Sequence, residues 1–292
     1  MEKSYNLAEN EEYFTRMKHI RPKPIKSIQT SFNFENVSYD DMPEASKKVA
    51  NEYLKSDSYD DSHDLAVHTS NKKLVFGFDY LYKGKRKFIP ELDPCLIYFS
   101  NAQMFSKMIY QYKKELLNKS SEIGNLGKNE EQQTIDDTIK QFETFFQFAS
   151  NYIIMLSSSL EAFLNKTIPI SEIYITKNGD EKDIEWIRKS SIEFKMSKII
   201  PKCTRKDFEK EYPNKYDSIL KIKNFRNDLI HLNPKTEITN TKYKEFYRKV
   251  IDFEYSSSIY LIRDYMNFHE DGLIEECPCG DDIFFDIIKI KK

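Results

Sequence analysis

TIDDTIKQFETFFQFASNYIIMLSSSLEAFLNK, residues 134–166, is the stretch on which the fold turns. Phe142, Phe145, Phe146, Ala149, Ile153, Leu156, Leu160 and Phe163 recur mostly three or four positions apart, which places them along one side of a helix. No Gly or Pro interrupts the run. Its most apolar part holds Ser157, Ser158, Ser159 and Glu161, so it reads as a core helix and not as a bilayer span. A stripe this long must be covered by other helices.

Those helices are sought on both sides. Upstream, Met104, Met108, Ile109, Tyr112 and Leu116 give residues 101–117 a helical period, followed by the polar break SSEIGNLGKNEEQQ. Downstream, Asn178-Gly179 marks a turn. Residues 184–200 form a helix expected to stop at Pro201, and 216–232 a helix ended by Asn233-Pro234. Residues 241–268 give the last long helix. Four helices joined by short or medium connections between 134 and 270 suit an antiparallel bundle. Further out, 74–82 (LVFGFDYLY) and 86–89 flank Lys83-Gly84-Lys85 and signal a β-hairpin. The first 30 residues, with Pro22 and Pro24, read as an extended lead-in. Residues 35–64 hold nine acids and three lysines, a net of −6, and read as a solvated loop; 283–290 reads as a short strand. The expected chain is mainly α, with an α+β region at 1–133, a helical domain at 134–270 and a tail at 271–292.

Composition agrees. The 292 residues include only 7 Gly and 10 Pro beside 37 Lys, which favours helix over sheet. Twenty-one Phe and 19 Tyr point to a core built largely from rings. The net charge of −2 excludes a general polycation, so any contact with nucleic acid must come from a local patch. Four Cys are too sparse for a disulfide scaffold, and the start MEKSYNLAENEEY carries no apolar signal segment. A reduced, cytoplasmic compartment with no membrane partner is expected. No phosphate-binding Gly loop, dinucleotide fingerprint or Gly-x-Ser-x-Gly elbow is present.

The chemistry-bearing motif is Arg226-Asn227-Asp228-Leu229-Ile230-His231. It sets a permanent cation and a titratable imidazole at the end of a helix. RNA cleavage by its own 2′-hydroxyl needs a base to take that proton and an acid to protonate the leaving oxygen. An imidazole with an unperturbed pKa of roughly 6.5 serves both tasks. A guanidinium offers paired hydrogen bonds to the phosphate as charge builds, and neither task requires a metal or cofactor. The spacing alone is a weak signal, expected by chance about 0.4 times in a chain of this composition. Arg263 and His269 satisfy it too. The first match stands out because it lies beside Asn233-Pro234 and ends a stretch, 188–226, with twelve Lys or Arg and five acids, a net of +7. On a straight helix Arg226 and His231 lie roughly 140° apart. Asn227 and His231 share a face, so Asn227 is placed to orient the imidazole.

The segment KIKNFRNDLIH, with SSSLEAFLNK and EFKMSKIIP before it, resembles the HEPN superfamily of four-helix domains found in bacterial toxins, antiphage systems and CRISPR-associated nucleases. Arg226, Asn227 and His231 match that family's motif. The resemblance covers about residues 134–270 and implies a metal-independent endoribonuclease that joins two motifs in one cleft of a homodimer. An RNA substrate and an antitoxin or regulatory protein are the partners it implies. The competing expectation is a non-catalytic HEPN-like module for dimerisation or RNA binding; a nucleotidyl-transferring enzyme ranks lower, for want of a paired-carboxylate motif.

Supporting residues follow. Glu161, one turn before Asn165, is a candidate to orient Arg226 or His231 by hydrogen bonding, against a reading of the two as a polar, solvent-facing pair. Asp228 is a candidate partner for Arg226, with a surface ion pair to a lysine as the plainer expectation. Lys221 and Lys223 are candidate RNA-phosphate contacts, against a solvated lysine face. Cys277-Pro278-Cys279 lacks the spacing of a structural zinc site, and His63 and His68 read as surface histidines, so no metal site is expected.

Overall fold

The structure, a computed structural model, describes residues 20–22, 27–29, 65–68, 73–120, 131–234 and 241–276. The acidic loop, the break after residue 120, the Cys277–Cys279 pair and the expected strand at 283–290 lie outside these residues. The chain divides into two compact units, one of residues 23–94 and one of residues 1–22 with 95–292.

The smaller unit is built on a long strand. β1 (Ile20–Pro22) belongs to the larger unit; β2 (Ser27–Gln29), β3 (Leu65–His68), β4 (Lys73–Tyr82) and β5 (Lys85–Pro90) form one antiparallel sheet in which β4 pairs with the other three. The turn between β4 and β5 is Lys83-Gly84, both at positive φ (50° and 74°), the left-handed backbone that a tight hairpin needs. At Gly77 a Cβ would lie 2.6 Å from the Phe88 ring and 2.3 Å from the Ile89 carbonyl oxygen. The Phe88 ring therefore takes the place a side chain would fill.

The larger unit is helical. α1 (Pro94–Lys119) and α2 (Glu131–Thr167) are its longest helices. The hairpin of β6 (Tyr174–Ile175) and β7 (Glu181–Lys182) follows, turning at Gly179. Then come α3 (Ile184–Lys189), α4 (Ile192–Phe194), a π turn over Lys195–Ile199, α5 (Ile200–Thr204) and α6 (Phe208–Glu211). α7 (Pro213–Ile230), α8 (Lys244–Asp252) and α9 (Tyr255–His269) complete it, and β8 (Ile274–Glu276) pairs antiparallel with β1. No described helix is long and apolar enough to cross a membrane.

The expected stripe of α2 is the core. Phe145, Ala149, Ile153, Leu156, Leu160 and Phe163 are buried, joined by Tyr152 and Leu164. α7 and α9 pack on α2 and on each other. α1 lies along α2: Phe105 and Tyr112 meet Phe148 at 6.1 and 5.4 Å, and Ser159 Oγ donates to the Cys95 carbonyl at 2.6 Å. The helical unit thus takes in α1 from Cys95 onward, ahead of the boundary expected at 134, because Cys95, Leu96, Phe99, Ala102 and Ile109 enter the same core. Met104, expected in the stripe of α1, faces solvent.

Two expected helices are divided. Residues 184–200 break at Ser190 and Ser191, both extended, where the Ser191 hydroxyl caps the Phe194 N–H at 3.1 Å. Pro201 does not stop the chain's helical path; it occupies the first turn of α5, where its missing N–H costs nothing and the wider π turn before it relieves crowding by its ring. Residues 241–268 divide at Phe253, which turns out to stack on Phe225 at 4.6 Å and to meet Tyr255 edge-on.

Some polar groups inside this core are paired, while the Ser157 and Tyr265 hydroxyls find no hydrogen-bond partner among the described residues. The Tyr152 hydroxyl donates to the Tyr255 carbonyl at 2.5 Å and bonds Ser258 Oγ at 2.8 Å. Burial pushes its pKa far above that of a free phenol. Tyr152→Phe removes both of its bonds, although Ser258 keeps its own bond to the Tyr255 carbonyl at 2.8 Å, and is expected to cost about 1 kcal/mol. Urea unfolding measures it, and an unchanged midpoint would show that the hydroxyl carries no stability.

Candidate active site

α7 carries the motif. Tyr216, Ile219, Ile222 and Phe225 bury one side of the helix against α2 and α9, which fixes the helix in position up to Phe225. Beyond that residue the chain emerges. Arg226 and Asn227 are half-buried, Asp228 is exposed, and His231 is exposed at the C-cap. His231 has φ −105° and ψ 47°, so the ideal-helix angle between it and Arg226 ceases to hold at this residue.

Asn227 is the junction of the pair. Its side-chain oxygen accepts from Arg226 Nη1 at 3.2 Å, while its backbone carbonyl accepts from the His231 N–H at 2.9 Å. The expectation that the Asn227 side chain orients the imidazole gives way to this arrangement: the amide holds the guanidinium, and the backbone holds the cap. No hydrogen bond joins Arg226 to His231 among the described residues. The last turn of α7 thus carries a half-buried cation and, at its cap, an exposed imidazole.

The supporting residues fall elsewhere. Asp228 pairs with Lys249 of α8 at 3.4 Å, both exposed, as expected of a surface ion pair. Lys223 reaches Glu193 at 3.4 Å and Lys221 is exposed. Asn165 is bonded to Lys195, and neither it nor Glu161 makes a hydrogen bond to the motif among the described residues. Lys195 Nζ donates to Asn165 Oδ1 at 2.9 Å and to the Arg188 carbonyl at 2.5 Å. This lysine is fully buried within the π turn; desolvation lowers its pKa, and the Glu161 carboxylate opposes that fall. A signal for it existed in the sequence, since Lys195 shares a helical face with Ile192 and Ile199.

The basic stretch is partly spent within the fold. Lys202 pairs with Glu172 at 2.6 Å, Lys215 with Asp264 at 2.7 Å and Arg188 with Glu185 at 3.7 Å. Lys189, Lys198, Arg205, Lys206, Lys210 and Lys221 make no ion pair among the described residues, and they carry most of the charge that the stretch has left. A pocket of about 430 Å³ beside the β6–β7 hairpin is lined by Ile173, Glu181, Lys182, Asp183 and Trp186, and includes none of the motif residues. Among the described residues no group of three His, Cys, Asp or Glu is placed to hold a metal ion.

The second Arg–His match serves the core. Arg263 bonds Asp264 at 2.9 Å and lies over the Tyr260 ring. Burial raises the Asp264 pKa, but Lys215 and Arg263 outweigh it and hold the carboxyl low. His269 Nδ1 meets Thr204 Oγ1 at 3.0 Å, its ring lies against Tyr265 and Phe268, and Nε2 is buried without a hydrogen-bond partner among the described residues. Burial, with Lys206 nearby, drops its pKa to about 4.

No family model, no curated protein and no solved structure matches the chain.

His269 sets a pH dependence. Its folded pKa of about 4 lies below the unfolded value of roughly 6.5, so the unfolded chain binds the extra proton between them. Stability is complete above pH 6.5 and falls as the pH drops toward 4, by ~1–2 kcal/mol after solvent screening. His269→Gln is expected to flatten urea midpoints between pH 7 and 5 relative to the parent; parallel curves would contradict the assignment.

Proposed function

We propose that the protein is a metal-independent endoribonuclease of the HEPN type, acting as a toxin or antiphage effector under the control of an antitoxin or regulatory partner. The observation that carries this reading is the coupling of Arg226 and His231 through Asn227 at the end of α7. There a guanidinium and the backbone N–H of an exposed histidine are bonded to the same residue.

The chemistry follows from the groups. A base takes the proton of a 2′-hydroxyl, the oxygen attacks the adjacent phosphorus, and the bond to the 5′-oxygen breaks as an acid protonates it. The products are a 2′,3′-cyclic phosphate and a 5′-hydroxyl. Arg226 neutralises the charge that grows on the phosphate oxygens. One imidazole cannot give and take a proton in the same step, so His231 supplies one role and His231 of a second copy the other. A homodimer bringing two α7 ends together meets that need, and the exposure of His231 leaves it available. Lys221 and Lys223 lie one turn before the motif, where they reach neighbouring phosphates.

The test incubates the full chain with RNA in EDTA. Arg226→Ala and His231→Ala are each expected to lower the cleavage rate at least about 100-fold. Asn227→Ala should cost less, since it frees the guanidinium without removing it. Cleavage that needs a divalent ion, or products with 5′-phosphates, contradicts the mechanism. RNA binding with no cleavage, unaffected by Arg226→Ala and His231→Ala, leaves the non-catalytic RNA-binding module as the reading.

A further inference from the structure

The β4–β5 hairpin carries a second feature that a folded sheet does not need. Side chains alternate across a strand, so Phe78, Tyr80 and Tyr82 share one face of β4. Their partners on β5 are Ile89, Lys87 and Lys85, which lie on that same face. Phe78 is 51 %, Tyr80 57 % and Tyr82 52 % exposed, and Lys85 and Lys87 are exposed beside them. Lys83 Nζ sits 5.2 Å from the Tyr82 ring centre. Arg86 and Asp79, which pair with each other, occupy the opposite face together with Phe88 and Gly77. The open face is thus a row of three rings edged by ammonium groups.

We propose that this face is a stacking platform for single-stranded RNA. It deepens the ribonuclease reading, on which the choice of RNA rests, by naming the surface that holds the substrate. Three arguments favour a polynucleotide. Residues 73–90 carry five Lys or Arg and one Asp, a net of +4, in a chain whose net is −2. The rings are flat and exposed, and any base presents a face to them, while the interleaved lysines meet the phosphates. The rings recur every second residue, about 6.7 Å apart, and bases stacked in a duplex lie about 3.4 Å apart, so only an unstacked strand follows the row.

The experiment measures binding of the full-length protein to a fluorescent oligo(U) of about 12 nucleotides, 2′-O-methylated, by anisotropy. The methyl group removes the attacking hydroxyl, so the result stands whether or not α7 cuts RNA. Tyr80→Ala and Tyr82→Ala are each expected to weaken binding about tenfold, and Tyr80→Phe to keep it. Lys85→Gln and Lys87→Gln should each reduce the salt slope by about one. All five substitutions are at exposed positions and should leave the thermal midpoint unchanged. Unchanged affinity in Tyr80→Ala and Tyr82→Ala overturns the proposal, as does equal affinity for a duplex. If those two variants instead lower the thermal midpoint while affinity holds, the acidic segment 35–64 or a second copy covers the face, and the proposal fails. Loss of binding in the Tyr variants alongside intact natural RNA retains the platform and discards the ribonuclease; cleavage untouched by the same variants does the reverse.

Discussion

The helical unit depends on one constraint: α2 must be covered on several sides at once. Its residues meet α1 through Ser159 and Phe148, α9 through Tyr152 and Phe163, α8 through Phe142 and Phe146, and the π turn through Asn165. Each fully buried large side chain contributes roughly 1.5–3 kcal/mol, so the stripe outweighs any single polar contact in the unit. Polar groups in it supply direction. The Tyr152 hydroxyl and Ser159 accept or give bonds to one place each, which fixes how α9 and α1 are set along α2.

Long periodic segments were legible because their pattern reports burial directly. The stripe of α2, the helix of α7 and the β4–β5 hairpin all follow from residue spacing. What escaped was decided by neighbours distant in sequence. Phe253 breaks a helix to reach Phe225, and Ser191 leaves helical backbone to cap Phe194. The π turn accommodates a lysine whose acceptors lie 30 and 7 residues away. Local propensity carries no information about such partners.

The placement of the candidate site was legible in the sequence, and its bonding much less so. Arg226 and His231 stand where a helix end was read, but Glu161 and Asn165 serve Lys195, and Asn227 turns its amide to the guanidinium. Charge counting overstated the basic flank, since acids outside it, Glu172, Asp264 and Glu185, pair with its cations. The contrast between the two Arg–His pairs is environmental. One imidazole is exposed at a helix end, and the other is wedged between rings and kept neutral.

α7 has an uneven mechanical character. Its residues through Phe225 are anchored by buried side chains, whereas from Arg226 to His231 only the half-buried Leu229 packs on the core. Local opening free energy tracks such anchoring, so amide protection should decay along the final turn while the rest of the helix stays closed. The motif therefore rides on a lightly anchored end of a firmly held shaft. Substitutions at Arg226, Asn227, Asp228 or His231 therefore have little effect on folding, while Leu229 ties this turn to the core.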